Sequence, residues 1–203
     1  MNEGVFYHIY NRGNNRGKIF FEEENHYYFL KQYQKYLSEH VDTYAYCLMP
    51  NHFHFAIYIT PSETQTSKVS ETFEVSPRKK LTPLEKAFRD FFISYAKSIN
   101  KRYDRTGSLF QYKFKRKPIK NNAYLMRLIM YIHGNPVEAK LCSTFREWSF
   151  SSYNAVLGDT PTDIRRDEVL EIFGGKEDFI AWHKEYSADK LLADEDFAKL
   201  VAW

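Results

Sequence analysis

Cysteine is scarce in this chain: Cys47 and Cys142 are the only two in 203 residues, and they stand in unrelated contexts. Without a CxxC pair, neither a disulfide framework nor a zinc ribbon is indicated. Long apolar runs are also missing, so no segment is expected to span a bilayer. The opening MNEGVFYHIYNRG has no basic stretch followed by an apolar run, which speaks against a secretory leader and makes a reduced, cytoplasmic protein the expectation. HExxH does not occur, so the zincin arrangement of two imidazoles on one helix face is excluded. HxHxDH, as in binuclear metallo-hydrolases, and a second HxT or HxS element, as in two-histidine phosphoesterases, are absent too. No internal repeat is visible.

What is abundant is aromatic and, locally, basic. Aromatic residues make up 18% of the chain, with 16 Tyr and 17 Phe, a high share of which most is expected to fill the core. A minority of such rings can serve as stacking platforms for unpaired bases. The net charge of +3 hides an asymmetry. From Lys97 to Lys120 there are nine Lys or Arg against one acid, Asp104, whereas from Asp159 onward twelve acids face six basic residues. A basic centre implies a polyanionic partner, and an acidic end is placed to compete with it.

Periodicity supplies the elements. VFYHIYNRG (5–13) alternates as a strand and runs into a polar loop, NRGNNRGK; residues 23–40 read as a helix with Tyr27, Leu30, Tyr33 and Leu37 at helical spacing. DTYAYCLMP (42–50) and HFHFAIYI (52–59) form a hairpin about a Pro-Asn corner. Residues 61–80, rich in Ser, Thr and charge and without periodicity, read as a long flexible surface insertion. Thr82-Pro83 opens a helix over 81–103, SLFQYKFKRKPI (108–119) is a basic strand, and 121–136 is a helix with an Asn cap, stopped by Gly134 and Pro136. The order β-α-β-β-α-β-α predicts an α+β, ferredoxin-like antiparallel sheet with helices packed on it. We place this domain at 1–147 and an acidic, helical C-terminal extension at 148–203.

The strand around residue 52 poses the chemical question. His52 and His54 are two apart and share one face, while Phe53, Phe55 and Ile57 take the other. Two parallel imidazoles suit one metal ion or one phosphate, although a pair of satisfied core histidines is an equal alternative on this pattern alone. On the helix 121–136, Leu125, Leu128, Ile129 and Ile132 form the apolar stripe, and Arg127, Tyr131 and Asn135 follow at i, i+4, i+8 along its flank. That spacing lets an amide oxygen complete a metal site while a phenol reaches a group bound there. A tyrosine among sixteen and an Asn before proline are, taken singly, a surface ring and a helix cap. His133 is expected at the surface.

MPNHFHFAIYI followed by YIHGNPVEAKL resembles the HUH endonucleases, and within them the REP-associated branch of the single-tyrosine transposases. YHIYNRGNNRGKIFF, GSLFQYKFKRKPI and WSFSSYNAVLG resemble that family's opening strand and loop, fourth strand and post-core segment, so the likeness runs over residues 5–158. It implies His52 and His54 as metal ligands, Tyr131 as nucleophile and Asn135 as third ligand, with Mg²⁺ or Mn²⁺ as cofactor. It implies cleavage and joining of single-stranded DNA through a 5′-phosphotyrosine link, on hairpin-forming repeats in some relatives, by a monomer or homodimer.

DNA contacts are expected from Arg12 and Arg16 in the first loop, from Arg127, and from the basic strand. There alternation sets Lys113, Lys115 and Lys117 on one face and Arg116 on the other. The competing reading is a non-catalytic single-stranded nucleic-acid-binding module of the same fold. The opposed charges of centre and tail also predict that the tail folds over the basic groove.

Overall fold

The computed structural model describes residues 1–61, 81–111 and 113–203. The expected insertion at 61–80 lies, apart from Pro61, outside the described residues. Four strands, β1 (Phe6–Arg12), β2 (Val41–Met49), β3 (His52–Ile59) and β4 (Lys115–Pro118), form one antiparallel sheet in the order β2-β3-β1-β4. With α1 (Glu23–Leu37) after β1 and α2 (Pro83–Arg102) after β3, this is the expected ferredoxin-like connectivity.

Both helices start on side-chain caps. Glu22 and Asn25 form a capping box on α1, and Thr82 with Glu85 forms one on α2, where Pro83 occupies the first turn. Each then buries an apolar face on the same side of the sheet. Phe29 and Leu37 of α1 meet Phe88, Phe91, Tyr95 and Ile99 of α2 above Ile9, Phe53, Phe55 and Ile57 of the strands. Tyr27, expected in this face, is 60% exposed; His26 and Phe29 take the inward positions instead.

The opposite face is covered by α3 (Asn122–Glu138) and by the extension: α4 (Tyr153–Leu157), α5 (Arg166–Phe173), α6 (Lys176–Lys184), α7 (Ala188–Leu192) and α8 (Glu195–Val201). Ala45, Cys47 and Ala56 of the sheet share one apolar core with the predicted α3 stripe and with Val156, Phe173, Phe179 and Phe197 of the extension. The expected boundary at 147 falls in the irregular connection between α3 and α4.

Three expectations need correction. Helix α3 does not stop at Gly134 and Pro136 but continues to Glu138; in its last turn, proline forgoes only the hydrogen bond to the Ile132 carbonyl, and Ala139 N closes the turn on Asn135 O at 3.0 Å. A Cβ at position 134 would lie 2.3 Å from the Tyr186 ring, so glycine is what lets the extension pack this closely. The basic strand shrinks from 108–119 to Lys115–Pro118, with a single bridge between Gly13 and Phe110 before it. His133, expected at the surface, is fully buried. Its Nδ1 lies 2.9 Å from His183 Nε2 and its Nε2 2.8 Å from Ser152 Oγ, because the extension closes over that side of α3.

Candidate active site

Register decides which strand residues meet. His52 of β3 faces Arg12 of β1, His54 faces Tyr10, and Ala56 faces His8, so all six share the α3 side of the sheet. His8 and Tyr10 in turn pair with Lys117 and Lys115 of β4, which places those lysines on the same face and Arg116 on the other, as alternation predicts. Lys113 departs from this. It precedes the regular strand and, with Arg116 and Phe92, lines an apolar groove beside α2. Arg16 is exposed in a short 3-10 turn, Asn14–Arg16.

Helix α3 delivers its flank to the histidines. The Tyr131 ring lies edge-on to His54 with centroids 5.7 Å apart, and Asn135 Oδ1 lies 3.4 Å from His52 Nε2. The orientation of each polar group follows from its other contacts. Asn135 Nδ2 donates to the Tyr131 carbonyl at 2.7 Å, which turns Oδ1 toward His52. Asn51 Nδ2 donates to the Arg16 carbonyl, so Asn51 Oδ1 is left to accept from His52 Nδ1 at 2.7 Å. A neutral imidazole carries one N–H, so His52 Nε2 presents a lone pair to another lone pair on Asn135 Oδ1. His54 Nε2 is buried and has no hydrogen-bond partner.

Two acceptors, His52 Nε2 and Asn135 Oδ1, therefore face each other without a proton between them, beside the His54 ring, which lies 5.2 Å from that of His52 and whose Nε2 has no hydrogen-bond partner among the described residues. Unpaired, such an arrangement costs on the order of 1–3 kcal/mol per buried group; a divalent cation would relieve it, imidazole nitrogen suiting a first-row transition metal and amide oxygen a harder ion such as Mn²⁺ or Mg²⁺. The residues present fit a metal. Among the described residues no group of three or more His, Cys, Asp or Glu side chains forms a metal cluster.

Burial sets the protonation of these groups. It lowers His52 to about 4, with the Asn135 contact opposing and Arg12 adding to the fall. It pushes His54 well below the ordinary value, helped by His8 and His52. The same desolvation raises Tyr131, against the bond from Asn135 and together with the charge of Glu138, so the free site holds neutral imidazoles and an un-ionised phenol.

The C-terminal segment lies over this centre. The Trp203 ring stands edge-on to His52, His54 and Tyr10 at 5.2, 5.4 and 5.2 Å, with the Arg12 guanidinium 5.0 Å from its centre. Tyr10 Oη donates to the Ala202 carbonyl at 2.5 Å; Lys117 Nζ donates to the same carbonyl at 2.8 Å and to that of Lys199. Arg127 pairs with Asp194 at 2.7 Å, and Lys120 with Asp196 at 2.7 Å. Three basic residues expected to touch DNA are thus engaged by the tail, Arg127 through the opposed charge of Asp194, Arg12 through the Trp203 ring and Lys117 through backbone carbonyls. Sequence reasoning missed His8, whose only signal was its place in the same alternation as Tyr10 and Arg12, and Trp203, which carried none.

No protein-family model matches the chain, and no curated protein matches it. Among solved structures, a REP-associated tyrosine transposase bound to a REP hairpin shares the fold. The TM-score is 0.55 at 15% identity, over 80% of this chain and 86% of that one. The chain therefore has the architecture of that class of transposase, a four-stranded antiparallel sheet with helices on both faces.

Proposed function

We propose that the chain is a metal-dependent enzyme that cleaves and rejoins single-stranded DNA, with Tyr131 as nucleophile and His52, His54 and Asn135 as metal ligands. The observation that carries this reading is the meeting of the four side chains at one end of the sheet, with the His52 Nε2 lone pair against Asn135 Oδ1 and His54 Nε2 unpartnered among the described residues. The shared fold supports a DNA-acting, transposase-like role, and the neighbour's bound hairpin makes hairpin-forming DNA the first substrate to try.

Tyr131 Oη gives up its proton as it attacks a phosphodiester phosphorus; the O–P bond to tyrosine forms as the bond to the 3′ oxygen breaks, and that oxygen takes up a proton and leaves as a hydroxyl, so that no proton is gained or lost overall. The phosphotyrosine ester retains the bond energy, so a second 3′ hydroxyl can reverse the step and join strands. When bound, the metal supplies stabilisation of charge on the phosphate and leaving oxygen. Asn135 contributes twice, holding the helix turn at Tyr131 and offering Oδ1. Lys115, beside the site on β4, and Arg16 on its approach are positioned for the phosphate backbone, while Arg12, Lys117 and Arg127 become available where their contacts with the tail open.

Incubation of a labelled hairpin with a single-stranded flank in Mn²⁺ tests the reading. The expected product is a protein–DNA adduct that survives denaturing gel electrophoresis, absent in Tyr131→Phe although that variant still binds the oligonucleotide. Nicking by Tyr131→Phe would remove the phenol from the mechanism; binding without any nicking by the unaltered protein would favour the non-catalytic module.

A further inference from the structure

The donor chain behind His54 runs through a residue with no place in the mechanism above. His8 is fully buried on β1, opposite Ala56, whose small side chain leaves room for the imidazole to lean along the sheet toward His54. The two rings lie side by side and nearly coplanar, with centroids 5.1 Å apart and 17° between planes, and the Tyr10 ring lies within 23° of parallel to His8 at 4.4 Å. His8 Nε2 lies 2.8 Å from His54 Nδ1, and His8 Nδ1 lies 3.1 Å from the Leu200 carbonyl.

These two distances fix every proton. A carbonyl oxygen only accepts, so His8 Nδ1 carries the hydrogen. Lys117 sits across the strand pair from His8, and none of the ring's hydrogen bonds is to a carboxylate, so nothing favours a second proton on the buried ring. His8 Nε2 is then an acceptor, and His54 Nδ1 must be the donor to it. His54 Nε2 is left bare, and it is the nitrogen that is buried without a partner.

The geometry points to His8 as the positioning residue of the metal centre: it holds His54 as the Nδ1–H tautomer with its Nε2 lone pair free, and is itself set by the backbone carbonyl of Leu200. This rests on the metal-site reading above. Metal-bound histidines commonly donate their second N–H to a carboxylate or carbonyl, which fixes the ring and raises its basicity. Here a second imidazole fills that role, and the corresponding contact for His52 is the Asn51 amide. The C-terminal segment thereby does more than cover the centre, because its Leu200 carbonyl is the far end of the proton chain that prepares His54.

Two measurements on the full chain test this. Histidine ¹⁵N NMR of the metal-free protein reads tautomers directly. The expected result is Nδ1–H at both His8 and His54, with His54 losing that state in His8→Phe, which keeps the ring's bulk without an acceptor. Nε2–H on His54 in the unaltered protein would overturn the proposal. Mn²⁺ titration followed by the electron paramagnetic resonance signal of the free ion supplies the second arm. His8→Phe should weaken binding about 10- to 100-fold, and His8→Gln, whose amide can both accept from His54 and donate to Leu200, should recover most of it. Equal affinity in His8→Phe and the unaltered protein would overturn the proposal, as would a loss in His8→Gln as large as in His8→Phe. If the unaltered protein binds no more Mn²⁺ than a His52→Ala/His54→Ala variant, the metal reading fails, and the tautomer measurement alone decides what His8 does.

Discussion

Removing the Trp203 ring should open the candidate active site to DNA. The ring is 40% exposed, so about three-fifths of it is covered, by Arg12, Tyr10, His52 and His54. If a tryptophan presents ~250 Å², some 150 Å² leaves water when it docks, worth about 4 kcal/mol at ~25 cal/mol per Å². Against this stands the cost of ordering the last two residues, about 1–2 kcal/mol each. The net hold of the ring is then roughly 0–2 kcal/mol, so the uncovered state is populated at between a few per cent and about one-half. A ligand that needs the uncovered state binds more weakly by that fraction. Trp203→Ala should therefore tighten binding of a single-stranded oligonucleotide by about 2- to 30-fold, read as fluorescence anisotropy at fixed salt. Phe197 and Val201, which anchor α8 in the core, are untouched by this change. Binding that is unchanged or weaker would mean that the ring is not what DNA must displace.

Other perturbations follow from the same contacts. Gly134→Ala gains about 1 kcal/mol of helix propensity but drives a methyl into Tyr186, and the clash should cost about 1–3 kcal/mol; the thermal midpoint should fall, and in a Tyr186→Ala background the same substitution should raise it. Burial lowers His183 to about 4 and His133 well below the ordinary value, so below pH ~6.5 the unfolded chain binds more protons than the folded one. The stability present above that pH is lost as pH falls, by about 2 kcal/mol at pH 5 from His183 alone. The midpoint should drop more between pH 7 and 5 in the unaltered chain than in His183→Gln, and equal drops would refute the assignment. Asp194→Asn removes the charge that holds Arg127; it should strengthen oligonucleotide binding at low salt and leave it nearly unchanged at high salt, where the pair is already screened.

The parts of the fold that repeat with a fixed period were readable before any coordinates. Strand β3 spans His52–Ile59, as alternation predicts, and the four apolar positions of α3 all lie in the core. The placement of Arg127, Tyr131 and Asn135 along the flank of α3 followed from helical geometry alone. The extent of β4 did not, because alternating lysines and aromatics continue through residues that make only one bridge to their neighbour. His133 was misplaced for a different reason. Whether that side of α3 meets water depends on His183 and Ser152, 50 and 19 residues away, and no local pattern records their arrival. The tail is intermediate: its surplus of carboxylates announced an approach to the basic groove but not which residues would pair, whereas the carbonyls of Lys199, Leu200 and Ala202 carry no side-chain signal at all.

The two borders of the sheet bear on how copies of this molecule can associate. Along β2, the outward backbone groups are already spoken for: Leu48 N donates to Phe150 O, Ser152 N to Tyr46 O and Arg165 N to Thr43 O, all at 2.9 Å. At the other border stands β4, four residues long and reading Lys-Arg-Lys-Pro, where an approaching identical strand meets like charge and a residue without an amide hydrogen. Joining two sheets edge to edge would require stripping one border or neutralising the other. Any lasting pair is thereby steered toward contacts between helices, and the strand hydrogen-bond ladder stays within a single chain.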